Sequence, residues 1–170
     1  MDVALAIRQK RAIRTFAARS IHDEDARSIL DAGRRAQSSK NTQPWHFVAV
    51  RDRATLTALT EAGPYAGHVA RAAMAVVIAT PDPAQRWTIP FDAGQAAAYM
   101  QLAAWELGIG SCLVAVYETA KVHALLGIPD DLHPDAALSF GYPDDPADLT
   151  RAPRAAGRRS AADVIHWERW

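Results

Sequence analysis

Cysteine is almost missing from this chain of 170 residues, with Cys112 the only one. A single thiol excludes an intrachain disulfide framework and a cysteine-built zinc site, so a reducing compartment is the default. An excess of one charge is missing too. Lys plus Arg and Asp plus Glu both total 19, and no global field is left to recruit nucleic acid or an anionic membrane. Lysine itself is scarce, since Lys10, Lys40 and Lys121 are the only three among those 19 basic residues. No apolar run approaches the roughly 20 residues of a membrane span. The opening "MDVALAIRQKRAIRTF" has too short an apolar stretch for a secretory signal, and its basic residues follow that stretch. The expected location is the cytoplasm. P-loop, H-E-x-x-H and G-x-S-x-G patterns are absent, and the six histidines show no metal-ligand spacing.

What remains is the composition of an ordinary globular domain, 49% hydrophobic and 22% charged. The length fits one domain over 1–170 that buries a core. Apolar spacing predicts a first helix over 2–9 ending near Lys10, and a second over about 23–36 with acids in its first turn and Arg34 and Arg35 in its last. "HFVAV", "AAMAVVIAT", "SCLVAV" and "DAALSFGYP" read as strands, the second buried on both faces. Helices are expected over 54–61, from about Asp92 to a cap at Gly108, and over "ETAKVHALLG". The helix from Asp92 is apolar nearly all round, which predicts a central core helix. Residues 143–157 read as an extended arm, continued by a tail with two tryptophans that needs a partner subunit or its own core to cover it. Alternating strands and helices predict an α+β fold with a small mixed sheet flanked by helices.

Four stretches could carry chemistry. "KRAIRTF" groups Lys10, Arg11 and Arg14 within five residues, suited to a phosphate or to a plain solvated basic turn. "AQSSKNTQPWHF" packs Gln37, Ser38, Ser39, Asn41, Thr42 and Gln43 ahead of Pro44, which is expected to hold Gln43 extended. Such neutral donors and acceptors suit the edge of an uncharged heterocycle, and equally an ordinary polar turn; spacing alone does not choose. Arg158 and Arg159 could complete a phosphate clamp. "GIGSC" follows a helix and lacks the third glycine of a dinucleotide fingerprint, so a Rossmann site is rejected. Cys112, Trp105 and Trp45 read as structural.

Together these pieces resemble the flavin-dependent nitroreductase family. "RAIRTF" resembles its N-terminal R-S-x-R-x-F signature, "SSKNTQPWHF" its S-x-x-N-x-Q-P-W loop, "DAGQAAAYMQLAAWELGIGSC" its long helix and Gly-x-Gly exit, and "GRRSAADVIHWERW" its closing segment. The resemblance implies a homodimer with FMN at each of two subunit interfaces and a C-terminal arm (143–170) embracing the partner. By it, Lys10, Arg11, Ala12 and Arg14 hold the phosphate and pyrimidine side. Ser38, Ser39 and Asn41 line the cofactor, Leu113 and Val114 run past the ring, and Arg158 and Arg159 finish the clamp. It also implies NADPH or NADH as reductant, a nitroaromatic or quinone as acceptor, and ping-pong transfer with no catalytic side chain, the chemistry residing on the flavin. Ala12 departs from the family's Ser, and "YAGHVARAA" with "QRWTIPF" are the only candidates for a lid. Tyr65 and His68 are candidate substrate contacts. Other readings are a non-catalytic flavin carrier or sensor, and a flavin-fragmenting or reductively dehalogenating member of the family.

Overall fold

A computed structural model describes residues 2–152 and 158–170 of the chain; residues 153–157 of the expected arm lie outside them. Helix α1 (Val3–Gln9) is opened by Asp2, whose carboxylate accepts from the Leu5 amide. Helix α2 (Asp23–Arg34) carries Asp23, Glu24 and Asp25 at its positive end. Strand β1 (His46–Val50), helix α3 (Arg53–Ala58) and the fully buried strand β2 (Met74–Thr80) follow. The long helix α4 (Thr88–Glu106) leads to β3 (Gly110–Ala115), α5 (Thr119–Leu126) and β4 (His133–Gly141).

Helix α4 starts four residues before the expected Asp92. Pro90 falls in its first turn, where the missing N–H would have had no helical partner in any case, so the proline does not delay the helix. Its other end is where the sequence puts it, with Gly108 at φ +72 in the left-handed cap position.

The sheet order is β1-β2-β4-β3, and every strand pairing is antiparallel. The expected mixed sheet is corrected on this point. Strands β2 and β3 do run in the same sense with α4 crossing between them, but β4 inserts between the two and pairs antiparallel with both. Among the described residues the parallel element is a single bridge, Ala12 to Ser111, which attaches the chain after α1 to the free edge of β3.

Helices α2 and α4 cover one face of the sheet, where Met74, Val76, Ile78, Leu138 and Phe140 meet Ile29 and Met100. Helices α3 and α5 cover the other through Leu56, Val77, Val122 and Ala137. Only one side of α4 is in that core. Ala96, Met100 and Ala104 are fully buried, whereas Phe91 and Tyr99 are open, as are Val3 and Ile7 on α1. The all-round apolar pattern therefore describes a helix on which the face carrying Phe91 and Tyr99 stays open among the described residues. Residues 158–170 are exposed throughout, with His166 stacked on Trp170 at 4.4 Å between ring centroids.

Candidate functional site

The cationic stretch is held in place by β3. Ile13 donates its amide to the Ser111 carbonyl at 2.9 Å, and Gly110 lets the Ile13 side chain pack directly against the strand. A Cβ at position 110 would lie 2.7 Å from the Ile13 Cβ, closer than side chains come. Lys10 reaches α4 and donates to Gln101 Oε1 at 2.7 Å. Burial pushes the Lys10 ammonium below its usual range, Cys112 pulls it back up, and the charge of Arg158 adds to the lowering. Two cations, one of them partly desolvated, thus act on each other at this end of α4. Arg11 instead donates to the Gln9 and Arg151 carbonyls, tying α1 to the start of the C-terminal arm. Ala12 and Arg14 are exposed beside it. Arg159 turns away to the Asp163 carbonyl at 2.7 Å.

Next to Lys10 and Gln101 lies an apolar cavity of about 320 Å³, bounded by Ala93 and Ala97 of α4 and by Ile78, Leu113 and Ala136 of the sheet. Alternation along β3 separates the two residues paired in the sequence reading. Leu113 is 54% exposed and faces this cavity, while Val114 is buried in the core on the opposite face. Val114 can offer a cofactor only its backbone.

The neutral loop sits at the other end of α4. Lys40, Asn41 and Gln43 all have positive φ, at 53°, 54° and 46°. Each such residue costs about 1–2 kcal/mol of backbone strain, so other contacts must hold the segment. The expectation of an extended Gln43 is corrected here. Proline disfavours right-handed helical geometry in the residue before it, but the Gln43 amide is captured by Ser38 Oγ at 2.9 Å and the residue turns left-handed instead. The Ser39 amide donates to Asp92 Oδ2 at 2.9 Å, and Gln95 reaches the Gln37 carbonyl at 3.4 Å. Pro44 and Trp45 are buried below the loop, with Trp45 stacked 6.4 Å from Phe47. No hydrogen bond from the Asn41 side chain or the Ser39 hydroxyl occurs among the described residues, so both remain available to a ligand. Ser38, Ser39 and Asn41 line a second cavity of about 590 Å³ with Trp87 and Phe91.

Tyr65 and His68 lie on the opposite face of the sheet from α4. Tyr65 is exposed, and His68 Nδ1 shares a 3.0 Å hydrogen bond with Ser139 Oγ. Burial first, and the charge of Arg14 second, hold His68 below the ordinary histidine value. "YAGHVARAA" is not free to act as a lid, since its turn Ala66–Arg71 buries Ala66 and Val69 in the core. "QRWTIPF" runs into the first turn of α4. Burial raises the Cys112 thiol above its usual range, against the pull of Arg14 and Lys10, which leaves it a poor nucleophile.

The residue that sequence reasoning missed is Asp92, 2% exposed and bonded to a partner 53 positions earlier. The signal was present: Asp92 is the sole charged residue from Thr88 to Trp105. Among the described residues, no group of His, Cys, Asp and Glu could hold a metal, and no helix is long and apolar enough to cross a membrane.

This geometry has close counterparts. A protein of Archaeoglobus fulgidus provisionally named NADH dehydrogenase/NAD(P)H nitroreductase is 35% identical over 95% of this chain and 94% of its own. A crystal structure from Bacteroides thetaiotaomicron, with the same provisional name, superposes with a TM-score of 0.85 at 27% identity over the whole of both chains. An FMN-dependent nitroreductase from Clostridium difficile R20291 superposes at 0.86 with 25% identity, over 99% of this chain and all of that one. The sequence model of the Nitroreductase family matches residues 7–63 and 60–142. The chain belongs to the nitroreductase family.

Proposed function

We propose that this protein is a cytoplasmic FMN-dependent oxidoreductase, working as a homodimer that passes reducing equivalents from NADH or NADPH to a nitroaromatic, a quinone or a similar small acceptor in a ping-pong cycle. The observation that carries this reading is the row of Lys10, Ala12 and Arg14 bridged to the edge of β3, beside an apolar cavity bounded by the exposed Leu113. The donor set fits FMN. A dianionic phosphate matches Lys10 and Arg158, a flat ring matches the apolar bed, and the polar ring edge matches the unengaged Ser39 hydroxyl and Asn41 amide.

One chain holds these parts apart. Gln101 and Asp92, which carry the cation row and the neutral loop, are nine residues apart on α4, or about 14 Å along its axis. A second copy, seated on the open faces of α1 and α4, is the simplest way to bring the loop of one subunit to the cations of the other. The exposed tail from Val164 to Trp170 would then lie on the partner.

FMN, when bound, supplies the ring that accepts and donates hydride. The chain's contribution is binding and electrostatics. Lys10 and Arg158 hold the phosphate, Arg11 keeps the arm beside them, and Arg14 offers positive charge where reduction adds negative charge. Leu113 excludes water from one side of the ring. The polar loop fixes its edge, and no side-chain nucleophile is needed.

The test is anaerobic. Purified protein should carry flavin absorption bands that bleach on adding NADH or NADPH and return on adding a quinone. Bound flavin that neither nicotinamide reduces would overturn the reductase reading and leave a carrier.

A further inference from the structure

We propose that Asp92 is a positioning residue that sets the Ser38–Gln43 loop in its cofactor-ready shape before any flavin arrives; the proposal rests on the FMN reading above. The loop has three left-handed residues that are not glycine, a shape the backbone does not hold unaided. Its tethers are unequal. The bond from Arg86 to Thr42 Oγ1 is 3.2 Å long and exposed, and that from Gln95 to the Gln37 carbonyl is 3.4 Å and exposed. The bond from the Ser39 amide to Asp92 Oδ2 is 2.9 Å, and its acceptor is almost wholly buried.

A routine role for Asp92 does not account for this placement. An acid that only complements the helix dipole belongs in the first turn, and that effect fades beyond it. Asp92 is the fifth residue of α4, after Thr88, Ile89, Pro90 and Phe91. Its Oδ1 lies 3.5 Å from Gln95 Nε2, so both carboxylate oxygens are engaged, and Asp92 and Gln95 line the same loop-side cavity as Ser38, Ser39 and Asn41. A buried carboxylate without such donors would be costly, and the Ser39 amide is the stronger of the two. Because that amide is engaged, the loop presents the Ser39 hydroxyl and the Asn41 side chain instead. The bond thereby selects which groups face the ligand.

The experiment compares wild type, Asp92→Ala and Asp92→Asn, each stripped of flavin and titrated with FMN, with visible circular dichroism of the bound flavin as a second readout. Asp92→Ala should raise the FMN Kd about tenfold or more and change the dichroism. Asp92→Asn keeps an oxygen acceptor and should recover most of both. Hydrogen exchange at the Ser39 amide of flavin-free wild type should be slow, which tests the preset loop without any substitution and stands even if Asp92→Ala does not fold. An unchanged Kd in Asp92→Ala would overturn the proposal. So would a Ser39 amide that becomes protected only once FMN is bound. Failure of the FMN reading is distinguishable, because it appears as absent binding in wild type itself and removes the proposal with it.

Discussion

The Lys10 ammonium donates to Gln101 Oε1 at 2.7 Å across the gap between the exit of α1 and the last third of α4. That bond holds a cation where burial and Arg158 both disfavour its charge. In the flavin-free protein, the unfolded chain therefore binds the Lys10 proton more tightly than the folded one does, and stability improves as pH rises toward the usual lysine range. A phosphate bound beside Lys10 would favour its charged form and oppose this effect.

Lys10→Met should accordingly weaken FMN binding about tenfold or more while leaving the flavin-free melting temperature unchanged or raised. Thermal melts with and without FMN measure both at once. A large drop in the flavin-free protein, with the FMN-induced shift intact, would contradict the assignment of Lys10 to the phosphate.

Arg14→Ala should lower flavin retention after gel filtration and make the bound flavin harder to reduce, since a charge beside the ring edge favours the reduced form. Flavin content and midpoint potential that both match wild type would count against Arg14.

His68 predicts a pH dependence of stability. Its folded value lies below the ordinary one of about 6.5, so between the two the unfolded chain carries the extra proton. Stability should fall as pH drops through that window and should be flat above it. His68→Gln, which can still bond Ser139, should reduce the loss. Urea midpoints at about pH 7.5 and about pH 5.5 give the comparison, and an equal loss in both proteins would exclude His68 as its source.

Gly110→Ala places a methyl group against the branched Cβ of Ile13, where no flexible side-chain end can move aside. The expected cost is about 1–3 kcal/mol, with FMN affinity reduced because the whole 10–14 stretch shifts off β3. Gly67→Ala is the control, since nothing lies within 4 Å of a Cβ there and the position is exposed on the opposite side of the sheet from the apolar cavity.

Trp167 and Trp170 stand 80% and 102% exposed on the single chain. Replacing both with Ala should weaken the proposed homodimer, read by sedimentation at falling concentration. Unaltered association would mean the tail does not contribute to the subunit contact.

Local rules were legible and tertiary ones were not. The cap at Gly108, the buried run of β2 and the cation row all follow from neighbours within a few residues. The insertion of β4 does not, because strand order depends on partners some 60 positions apart, and alternating strands and helices fit a parallel sheet as well. The neutral loop was legible as a set of side chains but not as a shape: its left-handed backbone depends on Asp92, and a lone acid in an alanine-rich helix reads as a dipole partner. The open face of α4 looked like core because periodicity registers apolar residues and not what they pack against.

The place of β4 in the sheet also has a temporal consequence. Strand β3 takes its sheet hydrogen bonds from β4 alone, and the 10–14 stretch attaches to β3. During synthesis the N-terminal cations emerge first, yet they have no scaffold until residue 141 has been added and β4 has slotted in beside β2. The site joins residues 10–14 to strands that are complete only at residue 141, so a nascent chain cannot hold its cofactor early and use it to guide the folding of the segments between.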